Sequence, residues 1–208
     1  MEIVITCALP FEFNSAKNEL GLREETLKGD LPRVAKKDHV TLIYTGLGKV
    51  NTLINLYENL LNLKDLVVID TGTCGSLNNK LHPLDIVTIN RSLEFYNYET
   101  VGKKYSIKKE GLLTIFNNLE FDDYINASIE DSVSDPKKRN LLVDRGCSVV
   151  SWETSSVFEV CNKLKIPCFS KRVITDNCDE NTFKDFKNNK SEACKKLYIS
   201  VKKLCKGI

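Results

Sequence analysis

Three carboxylates stand where a chain can use them for chemistry. Glu12 follows the apolar run Ile3-Val4-Ile5-Thr6-Cys7-Ala8, Glu153 follows Cys147-Ser148-Val149-Val150, and Asp176 closes the run from Cys168 through Ile174. Each lies at the carboxyl end of a strand-like segment, where open α/β sheets bind their ligands. Two glycine-rich segments share that location, Thr45-Gly46-Leu47-Gly48-Lys49-Val50-Asn51 and Asp70-Thr71-Gly72-Thr73-Cys74-Gly75-Ser76. In the second, two glycines let the backbone approach a ligand, and the hydroxyls of Thr71, Thr73 and Ser76 suit a sugar or an anchored water. Carboxylates in different surroundings can serve as general acid and general base of one reaction.

Ordinary structural explanations stand beside these. Glu12 and Glu153 would each favour the N-terminal dipole of a following helix, and Asp176 suits an Asx-turn. Gly46-Leu47-Gly48 looks like the start of a dinucleotide loop, but the third glycine of G-x-G-x-x-G falls on Asn51, and a tight strand-to-helix turn explains the pair as well. The joint occurrence of three acids at strand ends beside glycine turns favours a site.

The elements that must hold these residues follow from the apolar pattern. Short, often β-branched runs at 3–5, 40–44, 66–69, 85–89, 147–150 and 168–174 read as strands covered on both faces. Between them, Val50, Leu53, Ile54, Tyr57, Leu60 and Leu61 keep a helical stripe, as do Val157, Val160, Cys161 and Leu164. Cys194, Leu197, Tyr198, Val201, Leu204 and Cys205 mark a C-terminal helix ending at Gly207. Strands alternating with helices imply an α/β fold, a three-layer α/β/α sandwich around a central mixed sheet. With no repeat and no linker, one domain over 1–208 is expected. The aromatic-rich segment Ser92–Lys109 is open to three readings: a hairpin, a loop or a subunit contact.

Composition narrows the function classes. Thirty basic and 28 acidic residues give a formal charge of +2, which does not drive the chain to nucleic acid or a membrane. The lysines from Lys184 to Lys206 alternate with apolar positions and read as a solvated helix face. Eight cysteines include no C-x-x-C pair and the histidines are only His39 and His82, so neither a metal site nor a cofactor is expected. Several cysteines lie in apolar runs as small buried hydrophobes. With no apolar run of spanning length and no export signal, the expected compartment is the cytoplasm.

Taken in order, these segments resemble the methylthioadenosine/S-adenosylhomocysteine nucleosidases of the nucleoside phosphorylase superfamily, over nearly the whole chain. Thr45 to Asn51 is similar to the family's S-G-I-G-K-V-N. Asp70 to Leu77 with Leu84-Asp85-Ile86-Val87 is similar to its N-T-G-S-A-G-G-L…G-D-I-V. Trp152-Glu153-Thr154 matches M-E-[AT], and Arg172 to Asp176 matches R-x-I-S-D. The resemblance implies a nucleoside phosphorylase-like fold and hydrolysis of the N-glycosidic bond of a purine nucleoside. It implies Asp176 as the acid on purine N7, Glu12 as the residue orienting water, and Glu153 as acceptor of the ribose hydroxyls. Thr73 would help to hold water or sugar, with Cys74 and Gly75 beside it, and Phe186, ten residues after Asp176, would be an aromatic lid. A homodimer is implied too, with Ser92–Lys109 near the contact.

This chain departs from the pattern in the substrate pocket. The family's E-M-E becomes Ser151-Trp152-Glu153, and its S-G-D-x-F is best matched by Ser128-Ile129-Glu130-Asp131-Ser132-Val133, with Val133 in place of the aromatic. These changes bear on substrate identity more than on the acid and base. A phosphorolytic enzyme, a futalosine-type nucleosidase and a non-catalytic nucleoside binder are the alternatives. Phosphorolysis calls for several cations around phosphate, and none of the six arginines falls on a glycine turn.

Overall fold

The computed structural model describes residues 1–25 and 33–206. In chain order the elements are β1 (Glu2–Cys7), α1 (Pro10–Leu20), β2 (Arg23–Glu24), β3 (Arg33–Lys37), β4 (Val40–Tyr44), α2 (Lys49–Leu60) and β5 (Leu66–Ser76). There follow β6 (Ile86–Ile89), β7 (Arg91–Phe95), β8 (Val101–Ser106), α3 (Glu110–Ile115), β9 (Asn126–Ser128) and α4 (Pro136–Val143). The chain closes with β10 (Val149–Ser151), α5 (Thr154–Leu164), β11 (Cys168–Asp176) and α6 (Thr182–Cys205).

The strands form one mixed sheet in the order β2-β3-β4-β1-β5-β10-β9-β7-β8, with β11 pairing both β5 and β6. Helices α1 and α6 pack together, as do α2 and α5, and the two pairs cover the sheet as the outer layers of an α/β/α sandwich. The main core joins the β1, β4, β5 and β11 interior, which includes Phe169, to residues of α5 and α6, including Phe158, Leu197, Tyr198 and Val201. All eight cysteines are buried and free, as their apolar settings suggest. Among the described residues, no helix is long and apolar enough to cross a membrane.

Two elements differ from the sequence reading, and a third decides among readings it left open. Thr71–Ser76, read as a glycine turn, continues β5, an eleven-residue strand paired with β1, β11 and β10. Its glycines are therefore places where side chains of other elements press on the strand. Helix α6 begins at Thr182, a dozen residues before its apolar stripe, and the expected stop at Gly207 lies outside the described residues. Of the three readings for Ser92–Lys109, the hairpin is adopted: β7 and β8 pair antiparallel.

Candidate active site

The carboxyl ends of β1, β5, β10 and β11 meet around a cavity of about 270 Å³, near the small end of ligand sites. Its lining gathers Glu12, Thr73, Cys74, Gly75, Val133, Trp152, Glu153, Asp176 and Phe186. Ser151 is the exception among the expected contacts. It is buried behind the wall, and its hydroxyl is spent on Asn126 Oδ1 at 3.1 Å and Thr154 Oγ1 at 2.8 Å. Strand alternation explains this, because successive side chains of β10 point to opposite faces. The Thr71 and Ser76 hydroxyls are likewise turned to Thr6 O and Asn78 O, which leaves Thr73 as the hydroxyl of β5 that lines the cavity.

Glu12 sits in the first turn of α1, where Pro10 presets the helix. Its Oε2 accepts from the Ala8 and Leu9 backbone N–H groups at 3.2 and 3.1 Å, at the helix N-terminus where a first-turn acid also favours the dipole. Its Oε1 reaches β5, accepting from Thr73 N at 2.8 Å and Thr73 Oγ1 at 3.0 Å. Burial pushes its pKa up, while the Thr73 hydrogen bonds and the Arg172 charge pull against that rise. Four donors on two oxygens suit an ionised acceptor.

Glu153 heads α5 but makes no cap hydrogen bond there. Its Oε1 instead accepts from Gly48 N at 3.0 Å, at the start of α2. Its Oε2 has no hydrogen-bond partner among the described residues and is open to an incoming donor. Burial pushes its pKa up to about 7, against the lowering effect of Arg172 and the Gly48 N–H.

Asp176 ends β11 just after an irregularity: Ile174 pairs with Cys74 and Asp176 with Gly75, so Thr175 is an extra residue that re-aims the carboxylate. Its Oδ2 accepts from Thr175 Oγ1 at 2.9 Å, and its Oδ1 accepts from Thr182 Oγ1 at 3.3 Å and Cys178 N at 3.2 Å. The last bond is the Asx-turn anticipated for this residue, and it holds Cys178 at φ +54°. The turn serves the site, because it fixes the carboxylate at the cavity wall. Burial raises its pKa, with the Thr175 hydrogen bond opposing. A Cβ on Gly75 would strike Cys178 Sγ and come within 3.0 Å of Asp176 Oδ1, so this turn needs a glycine opposite it.

Sequence reasoning missed Arg172. In the β5–β11 register it lies directly against Gly72. A Cβ at position 72 would be 2.7 Å from Arg172 Nη1 and 3.0 Å from Glu12 Oε1, and Gly72 has φ +149°. One glycine of β5 therefore faces both the cation and the first acid. The signal was present in sequence: an arginine inside the buried run 168–174 needs a buried counter-ion, and Asp70, closing the run 66–69, supplies it at 2.6–2.7 Å.

The remaining walls set shape. Trp152 donates its indole N–H to Asp131 O at 3.1 Å, and the Val133 carbonyl lies 3.2 Å from Thr182 Oγ1, whose single proton it shares with Asp176 Oδ1. Phe186 meets Phe11 edge-on with centroids 5.9 Å apart. Leu9, Leu47 and the exposed Phe183 also line the cavity, and sequence reading singled out none of them.

Comparison with known proteins agrees with this architecture. The sequence model described as the phosphorylase superfamily matches residues 2–206. An aminodeoxyfutalosine nucleosidase of Helicobacter pylori is 25% identical over 166 residues, covering 71% of each chain. A 5′-methylthioadenosine/S-adenosylhomocysteine nucleosidase of Bacillus cereus is 24% identical over 198 residues, covering 85% of this chain and 86% of its own. A Helicobacter pylori mutant structure with 5′-methylthioadenosine in its active site superposes with a TM-score of 0.86, 18% identity, and coverage of 100% and 99%.

Proposed function

The chain belongs to the phosphorylase superfamily, and from that premise we propose that it hydrolyses the N-glycosidic bond of a purine nucleoside, of the 5′-methylthioadenosine or S-adenosylhomocysteine type. The observation that carries this reading is three buried carboxylates around one cavity, each with different partners. The named relatives support the class of reaction and divide between two kinds of nucleoside.

Cleavage of C1′–N9 develops positive charge on the sugar and negative charge on the purine. Asp176, its pKa raised by burial, gives its proton to purine N7 as the bond lengthens. Glu12, ionised and braced by Thr73, orients a water whose oxygen adds to C1′ and whose proton it accepts. Glu153 takes the ribose hydroxyls on its open Oε2, and that contact strengthens as charge builds on the ring. The products are a free purine and a ribose derivative.

Water is favoured over phosphate by the charges that line the cavity. Among the described residues that line the cavity, Arg172 is the one cation, and Asp70 already neutralises it. The first amides of α2, a natural anion site, are taken by carboxylates: Gly48 N by Glu153 and Lys49 N by Glu130 at 2.6 Å. Purine release from 5′-methylthioadenosine is therefore expected at equal rates with and without phosphate. A strict phosphate requirement, with ribose-1-phosphate as the sugar product, would overturn the proposal.

A homodimer belongs to the same reading. Leu47, Val50, Ile54 and Leu61 form an exposed apolar stripe along α2, beginning at the cavity, and Tyr96 is exposed on the β7–β8 turn. Light scattering at micromolar concentration checks this, and a monomer refutes it.

A further inference from the structure

Asp70 does not line the cavity, yet both of its oxygens hold Arg172, which does. Its two oxygens hold Arg172 Nη2 at 2.7 and 2.6 Å, while Ser170 Oγ donates to Asp70 at 2.7 Å and accepts from Arg172 Nε at 3.1 Å. The guanidinium is thereby clamped on two of its three nitrogens. The third, Nη1, is left facing Thr73 O, Gly72 and Glu12. Asp70 and Arg172 are each only 2% exposed, so neither charge has water to replace the other.

A second chain of hydrogen bonds leads away from the same carboxylate. Thr154 Oγ1 donates to Asp70 Oδ2 at 2.9 Å and lies 2.8 Å from Ser151 Oγ. Ser151 is thus one hydroxyl removed from the acid that holds Arg172. Positions 70 and 151 are also where this sequence departs from the motifs it resembles in a reciprocal way. N-T-G becomes Asp70-Thr71-Gly72, and E-M-E becomes Ser151-Trp152-Glu153. One acid is gained where one is lost, in a single buried network.

We propose that Asp70 is the positioning residue that aims Arg172 at the reacting site, and that positions 70 and 151 are alternative seats for one carboxylate in this network. A glutamate at 151 would extend its carboxylate from the Ser151 position toward the network that Thr154 joins to Asp70. The network holds one guanidinium, so it accepts one acid. Two acids leave an uncompensated buried charge, and none leaves the guanidinium unpaired and free to turn. The proposal rests on the nucleosidase reading only for its kinetic consequences.

The test is a cycle of Asp70→Asn, Ser151→Glu and the double variant, with Asp70→Asn/Ser151→Gln as the uncharged control. Melting temperature is read for each, with kcat and KM toward 5′-methylthioadenosine. Asp70→Asn is expected to lower kcat about a hundredfold, the scale of a misplaced reacting group, with KM changed less than threefold. Ser151→Glu alone is expected to lower the melting temperature. The double variant is expected to regain most of the lost kcat and melting temperature, and the glutamine control neither. Recovery of folding by the double variant supports the proposal even if Asp70→Asn does not fold. A wild-type kcat in Asp70→Asn overturns it, as does a double variant no better than Asp70→Asn in rate or in folding. If the native protein releases no purine, the nucleosidase reading fails, and the melting temperatures alone decide this inference.

Discussion

Asp176→Asn separates a proton donor from a turn residue. Asparagine is isosteric, and its amide oxygen can keep the hydrogen bonds now accepted by Oδ1 from Cys178 N and Thr182 Oγ1. Its NH₂ group would face Thr175 Oγ1, whose hydroxyl can reverse from donor to acceptor. All three contacts therefore survive, and the Asx-turn holding Cys178 at φ +54° stays in place. Because burial raises the native pKa of Asp176, ionising it at neutral pH costs stability, and the neutral amide should melt at the same temperature or higher. Activity should respond in the opposite direction. The amide cannot transfer a proton, and general acid catalysis is worth about a hundred- to ten-thousandfold, or about 3 to 5 kcal/mol of barrier. Purine release under saturating substrate measures kcat, and circular dichroism with a thermal melt verifies the fold. In the native protein kcat should fall as pH rises through the raised pKa of Asp176, and the residual activity of the variant should lack that limb. A folded variant with near-native turnover would remove Asp176 from the chemistry and leave it as a turn residue.

Glu153→Gln should weaken substrate binding and turnover together, because a charged acceptor for two sugar hydroxyls is lost. It should also change the pH dependence of stability. A carboxyl whose pKa rises from 4.5 to about 7 on folding keeps its proton in the native state across that window, so stability is greatest at the acid end and falls as pH rises. The effect is at most about 3 kcal/mol; urea unfolding at several pH values reads it, and an unchanged slope in the variant would refute the assignment. Gly72→Ala places a Cβ 2.7 Å from Arg172 Nη1 and 3.0 Å from Glu12 Oε1 at φ +149°. It should cut kcat by about ten- to a hundredfold with a lowered melting temperature, and native kinetics in this variant would show that these two groups need no fixed separation.

Much of the fold could be read from periodicity, because each strand over 40–44, 66–69 and 168–174 is a short apolar run buried on both faces. The three acids could be read for a related reason: polar residues at strand ends stand out against such runs. What periodicity cannot give is pairing. Whether Thr71–Ser76 bends or continues depends on whether β11 and β10 are there to bond its backbone, and both are distant in sequence. The early part of α6 carries Lys184, Lys187 and Asn188 on solvent-facing positions, so its apolar stripe emerges only from Ala193 onward. Ser151 lies behind the cavity wall, and a motif names neighbours without saying which face of β10 each one takes.

The same limit explains why sequence alone does not place Arg172 at the site, although it lines the cavity and faces Gly72 and Glu12. A phosphate would call for arginines on the glycine turns, and Arg172 lies on neither. Instead the parallel register of β5 and β11 brings Gly72 level with Arg172 and Asp70 level with Ser170. Strand periodicity then puts Ser170 and Arg172 on one face, and Lys171 on the other, where it donates to Thr88 Oγ1 at 3.0 Å. A register slip of one residue would exchange these two cations, bringing Lys171 to the cavity side and turning Arg172 away from Asp70. Lysine could not replace the arginine there, since a single ammonium cannot hold Asp70 and Ser170 and still present a nitrogen toward Glu12. The site's electrostatics are therefore set by the pairing of two strands about a hundred residues apart in sequence, and glycine at position 72 is what allows that pairing to bring cation and carboxylate together.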